Sequence, residues 1–230
     1  QNVFVGGLSG DANTSASNNT AVGHAALGAN TLGKSSVAIG AFALDSQNLT
    51  TDTNAYNVAV GRDAGGAVTT GVNNVLIGAL AGDAITDADF NVAVGTGALG
   101  TNQLGSRSVA VGEGALLVQN PATAANMYNT AVGHQAGTDV TTGTLNTLIG
   151  GLAGDALTSG NSNVALGYLA LSADTLGDRN VAIGTNALLL QNFTTSTDAF
   201  NVAVGANAGA AVTTGTSNVL LGGLAGDALT

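Results

Sequence analysis

The sequence predicts an all-β chain wound as a parallel β-roll (β-solenoid) of about thirteen turns, and three observations carry that prediction. A pentapeptide of the form Asn-Val-Ala-Val-Gly, as at Asn57–Gly61, returns along the whole chain. Its final glycines, Gly6, Gly23, Gly40, Gly61, Gly78, Gly95, Gly112, Gly133, Gly150, Gly167, Gly184, Gly205 and Gly222, stand 17 or 21 residues apart. No segment between them supports a helix, because apolar residues hold no sustained 3.6-residue period and glycine interrupts each candidate. A near-fixed period of this length marks a solenoid, in which stacked turns share one core.

Taken in order, each pentapeptide reads as a short strand that bends at its glycine. Three residues after every glycine except the first comes an alanine, such as Ala26, Ala64 or Ala136; Ser9 takes its place in the first turn. A second short Ala/Leu strand and a polar return rich in Gly, Thr and Asn complete the turn. The asparagine at position one, replaced by Ser36 and Ser108 in two turns, suits an internal or corner ladder of amide hydrogen bonds. Above the single turn lies a larger unit. Steps of 17, 17, 17 and 21 make a 72-residue cassette of four turns, and Leu76, Leu148 and Leu220 recur at that interval. So do Asp83, Asp155 and Asp227, and Tyr56, Tyr128 and Phe200 at the ends of the long turns. Residues 1–230 are expected to form one continuous array with no domain boundary, a segment of a longer chain.

Composition narrows the function. With 35 glycines, 8% charged and 3% aromatic residues, the chain suits thin, close-packed layers more than a thick core. A net charge of −10 from 14 acidic and 4 basic residues leaves no basic stripe for nucleic acid. Cysteine is absent, which excludes disulfides and thiolate metal sites. No uninterrupted apolar run is long enough for a membrane-spanning helix.

Alternate side chains of a strand face opposite sides. Positions two and four of the pentapeptide are Val, Thr, Ile or Leu and are expected to fill the roll. Position three, between them, would then face outward. It is Phe4, Ala21, Ala38, Ala59, Leu76, Ala93, Ala110, Ala131, Leu148, Ala165, Ala182, Ala203 and Leu220, never polar. An outward apolar stripe of that kind calls for burial against other copies of the chain, most simply in a closed cyclic homo-oligomer. These thirteen residues are the predicted oligomer interface.

Ser108-Val109-Ala110-Val111-Gly112-Glu113-Gly114-Ala115 and Ser36-Val37-Ala38-Ile39-Gly40-Ala41-Phe42-Ala43 resemble the head repeat of trimeric autotransporter adhesins. Asn-Thr-Ala-Val-Gly repeats with Thr-Thr-Gly connections, like residues 141–143, are similar to repeats of bacteriophage tail fibres. The resemblance covers the entire chain. It implies a left-handed parallel β-roll, a parallel homotrimer, and attachment to a cell or host surface. Adhesin head repeats return after about 14 residues, so the 17- and 21-residue turns here imply longer connections.

Catalytic chemistry finds little footing. His24 and His134 follow motif glycines but share no cassette position, and read as surface residues. Asp83, Asp155 and Asp227 recur only every fourth turn, about 19 Å apart in a stacked array, too far for shared metal ligation within one chain. No glycine-rich loop opens a helix, so no phosphate loop is present. Sequons at Asn13, Asn18, Asn48 and Asn192 fit the Asn/Thr-rich composition, and the Thr-Thr pairs are too sparse for a flat ice-binding lattice. The long turns, whose four extra residues must protrude and which end in Tyr56, Tyr128 and Phe200, are the candidate surface-binding loops.

The expected function is therefore a non-catalytic structural repeat of a homotrimeric extracellular fibre, a phage tail fibre or bacterial surface adhesin supporting attachment to a cell-surface glycan or protein. It calls for no cofactor, metal, nucleic acid or membrane insertion. A self-assembling extracellular filament or matrix protein is the alternative, and a monomeric carbohydrate-binding β-helix a further one.

Overall fold

The structure, a computed structural model, describes all residues from Gln1 to Thr230. It is all-β and contains no helix: a parallel β-solenoid of about thirteen turns. The strands are β1 (Val3–Val5), β2 (Thr20–Val22), β3 (Val37–Ile39), β4 (Val58–Val60), β5 (Val75–Ile77), β6 (Val92–Val94), β7 (Gly105–Ser106), β8 (Val109–Val111), β9 (Ala125–Asn126), β10 (Thr130–Val132), β11 (Thr147–Ile149), β12 (Val164–Leu166), β13 (Gly177–Asp178), β14 (Val181–Ile183), β15 (Thr197–Asp198), β16 (Val202–Val204) and β17 (Val219–Leu221). The chain divides into two compact units, Gln1–Ser108 with Asn120–Asn126, and Val109–Gln119 with Met127–Thr230.

In the first unit β1 to β6 pair in chain order, all parallel. In the second the order is β8, β10, β11, β12, β14, β16, β17, again parallel. Pentapeptide pairs with pentapeptide position for position, Ala59 opposite Leu76 and Val60 opposite Ile77. A 21-residue step keeps the same register, as Ala38 opposite Ala59 shows. The extra residues are thus absorbed outside the main strands.

Two kinds of left-handed residue turn the chain after each strand. The motif glycine comes first: Gly61 has φ +139, and a Cβ there would lie 2.5 Å from the Gly78 carbonyl oxygen one turn on. No residue with a side chain fits that stack. Two and four residues later the backbone is left-handed again, at Asp63 and Gly65 in that turn, and at Ala25 and Leu27 two turns earlier. A left-handed leucine is strained by about 1–2 kcal/mol. Its retention at Leu27, Leu44, Leu99, Leu116, Leu171 and Leu188 means that its burial outweighs the strain.

Position three of the pentapeptide points into the roll, which overturns the expectation that it faces outward. Ala21, Ala38, Ala59, Leu76, Ala93, Ala110, Ala131, Leu148, Ala165, Ala182 and Ala203 are all 0% exposed within the single chain. Phe4 and Leu220, in the terminal turns, are half-buried. None of these residues forms the outer surface of the roll, so the interface predicted from them has no such basis. Strand alternation holds, but with opposite parity. The reason is the asparagine at position one: its amide reaches backbone carbonyls inside the roll, as Asn57 Nδ2 reaches Gly71 O at 2.8 Å. Position three follows it inward, and positions two and four face out.

The Leu and Phe at position three also have an interior cause. Leu76 lies against glycines at two successive left-handed corners, and a Cβ on Gly65 or Gly82 would meet its methyls at 2.6 and 2.8 Å. Leu148 stands in the same relation to Gly137 and Gly154, and Phe4 to Gly10. Where the corner carries Leu44 or Leu116, position three shrinks to Ala38 or Ala110. Large and small residues therefore alternate across one narrow core, and the 72-residue cassette is the period of that exchange.

Leu148→Ala removes the filler opposite two glycines that cannot close the gap, and is expected to cost about 2–5 kcal/mol of stability. Urea unfolding should show the loss, with the exposed Thr142→Ala as a near-neutral control; equal midpoints for the two substituted chains would contradict this packing.

Candidate binding surfaces

Positions two and four of the pentapeptides form the outer face of the sheet. In the first unit this face is Val3, Val5, Thr20, Val22, and then only Val and Ile through Val94, every one half-buried or exposed. In the second unit only Thr130 and Thr147 interrupt the same pattern, and Ile149, Leu166 and Leu221 are 36%, 44% and 66% exposed. No charged side chain stands on either face. The solvent side of an antiparallel sheet is ordinarily polar, and parallel sheets are ordinarily covered on both sides. Hydrophobicity had pointed to the interior for these residues, and the structure places them outside.

One residue before each pentapeptide the chain makes another left-handed corner beside that face. Tyr56, Tyr128 and Phe200 sit there with φ of 52–53 and about half their surface exposed. They occupy the corner column, not the tips of the long turns. The same column holds Phe90, Leu145, Arg107 and Arg179, which the sequence reading missed although a constant offset from the pentapeptide marks them all. Arg107 lies over the Phe90 ring at 4.7 Å and Arg179 over the Phe200 ring at 5.5 Å.

Each long turn folds back at its base and exposes its middle. Leu49, Pro121 and Phe193 are buried, whereas residues 50–54, 122–124 and 194–196 are exposed. A short second ladder fastens the far side of each: the Lys34–Asn54 bridge, β7 with β9, and β13 with β15. Side chains repeat the fastening. Lys34 pairs with Asp52 at 2.7 Å, Arg107 Nε donates to Asn126 at 2.9 Å, and Arg179 pairs with Asp198 at 2.8 Å. Three of the chain's 4 basic residues are thus spent on holding long turns.

Carboxylates gather on one flank of the first unit. Asp45, Asp63 and Asp83 line an open cavity of about 270 Å³ with Phe42 and Leu80. Burial, and then the charge of Asp11, pushes the Asp45 carboxyl above the usual range; burial does the same to Asp83, with Asp63 adding to it. Asp155, the counterpart of Asp83 in the second unit, is likewise raised by burial. No group of three or more potential ligands is arranged to hold a metal ion. His134 is exposed and pairs with Glu113 at 2.9 Å, and His24 meets the Phe42 ring edge-on at 5.2 Å. Comparison with known proteins finds no matching family, no similar curated protein and no similar solved structure.

Arg179→Ala should release the turn at 194–198 without unfolding the roll, because an ion pair this exposed contributes under about 1 kcal/mol. Limited proteolysis should then cut within 194–198 faster than in the parent, at an almost unchanged melting temperature; a large fall in melting temperature would show the contact to be structural.

Proposed function

We propose that the chain is a non-catalytic structural repeat of a homotrimeric extracellular fibre, of the phage tail-fibre or bacterial adhesin kind, that supports attachment to a cell surface. The observation that carries this reading is the apolar outer face of positions two and four. A face mostly of Val and Ile, with two Leu, three Thr and no charge, is stabilised by cover, at roughly 25 cal/mol for each Å² of apolar surface removed from water. Its side chains recur at the pitch of the stacked turns, so a partner must share that pitch to interdigitate along it. A second copy of this chain, parallel and in register, has it by construction. Three copies closing their faces around one axis leave no face open. The homotrimer, and the left-handed winding of each roll, agree with the adhesin-like pentapeptides.

In this assembly the corner column of Tyr56, Tyr128 and Phe200 flanks the covered face, and the exposed parts of the long turns stand outside the strands that are covered. The turns are then free to meet a glycan or protein of the attached surface. Lack of a converging catalytic set suits a mechanical role, in which interturn hydrogen bonds and the apolar contact between chains supply stiffness.

Sedimentation of the folded chain should give three times its 22.0 kDa mass. Val132→Lys combined with Ile149→Lys should yield monomers that keep the parent's far-ultraviolet circular dichroism. A parent that sediments as a stable monomer would overturn the proposal.

A further inference from the structure

Seven residues after each motif glycine from Gly23 to Gly205 stands a buried side chain, and one of these is a fully buried aspartate, Asp174. At the matching positions of the first two cassettes stand Asn30 and Asn102. Each closes a tight turn with two bonds. Asn102 Oδ1 accepts the Gly105 N–H at 2.9 Å, and its Nδ2 donates to the Gly105 carbonyl at 2.7 Å. Asn30 does the same with Gly33 at 3.0 and 2.8 Å. This has a cost at the neighbouring long turn, where Gln47 Nε2 is buried without a partner. Asn30 turns its Oδ1 to the Gly33 N–H and has in its Nδ2 a second donor, where a carboxylate would offer Gln47 a second acceptor.

Asp174 resolves that conflict differently. Its Oδ1 accepts the Gly177 N–H at 3.0 Å and the Phe193 N–H at 3.4 Å. Its Oδ2 accepts Gln191 Nε2 at 2.6 Å. Gln191 Oε1 in turn takes Asn201 Nδ2 at 2.7 Å, which ties the carboxyl into the asparagine ladder. What the ionised carboxylate cannot do is donate to the Gly177 carbonyl, the bond that Asn102 makes at its own glycine.

We propose that Asp174 is a proton-operated latch inside the second unit: when protonated it donates to the Gly177 carbonyl as Asn102 does to Gly105, and when ionised it gives up that bond. The step moves one proton from solvent onto Oδ2 and forms one hydrogen bond. The groups facing the carboxyl are the Gln191 amide and the backbone N–H groups of Gly177, Phe193 and Leu176, and no charged side chain perturbs it. The acid and base that follow it in the chain are turned elsewhere, Asp178 to Ser196 and Asn161, and Arg179 to Asp198. Burial raises the carboxyl above its ordinary value, against the lowering effect of the Gln191 and backbone hydrogen bonds. The folded state therefore binds the proton more tightly than the unfolded chain does. The stability this supplies is complete below the unfolded value of about 3.9 and is lost as pH rises through the folded one.

The test compares the parent chain with Asp174→Asn, which reproduces the Asn102 arrangement, by urea unfolding from pH 4 to 8 at fixed protein concentration. Asp45, Asp83 and Asp155 titrate in both proteins, so the difference isolates Asp174. With rising pH the folding equilibrium of the parent should fall more steeply than that of D174N, the two slopes differing by up to about tenfold per pH unit. Parallel curves would overturn the proposal. Independently, the carbon-13 shift of the Asp174 carboxyl in the folded parent should titrate above the ordinary carboxylate range. A midpoint at or below that range would overturn the proposal even if D174N failed to fold.

Discussion

Most of the pentapeptide asparagines do two things with one side chain. The Oδ1 accepts the N–H of the residue that heads the next pentapeptide, as Asn74 donates to Asn57 at 2.9 Å, and the Nδ2 donates to a backbone carbonyl of the return segment, as Asn74 does to Ala88 at 2.8 Å; Asn180 and Asn218 instead donate to the Oδ1 of the asparagine one turn back. Both partners are buried, so a missing amide would strand polar groups in a core that water does not reach. The ladder fixes more than the corner it occupies. By holding position one inward it sets which face of every strand is core, and the register of each turn on the next follows.

That single orientation accounts for the oddities of composition. A core faced by asparagine and alanine is thin, and leucine takes position three only where the corner carries glycine, as Leu76 meets Gly65 and Gly82. The larger β-branched residues of the pentapeptides are thereby placed outside. An outer face made mostly of Val and Ile is left uncovered within one chain, and the proposed homotrimer is the simplest assembly that would cover it. The structural core of each chain and the contact between chains would then use opposite faces of the same three-residue strands.

The long turns show where this regularity is relaxed. In each cassette a glutamine enters the ladder, Gln47 accepting from Asn57 at 2.9 Å and Gln119 from Asn129 at 2.9 Å. Residues past it leave the roll, and a basic residue on the preceding turn fastens their far end. The exposed middle reads Thr50-Thr51-Asp52 in one turn, Ala122-Thr123-Ala124 in the next and Thr194-Thr195-Ser196 in the last, and the buried residue before it changes as well, from Leu49 to Pro121 to Phe193. In the proposed fibre, these exposed loops, held at one period on a regular array, are the parts placed to meet another surface.

Much of this was legible without coordinates. The glycine spacing by itself determined a parallel solenoid of about thirteen turns, its register and its four-turn cassette, because a repeat that stacks must align like with like. The asparagine ladder was legible for the same reason. Period-two alternation, however, says only that positions two and four lie opposite position three; it does not say which side is inside. Hydrophobicity alone favoured valine and isoleucine over alanine for the core. The tertiary structure decided otherwise, through groups distant in sequence: the carbonyl of Gly71 that draws Asn57 inward, and the glycines that leave room for Leu76. The staples from Lys34, Arg107 and Arg179 were hidden in the same way, since they join residues 18 or 19 apart that only the stacking of a long turn brings together.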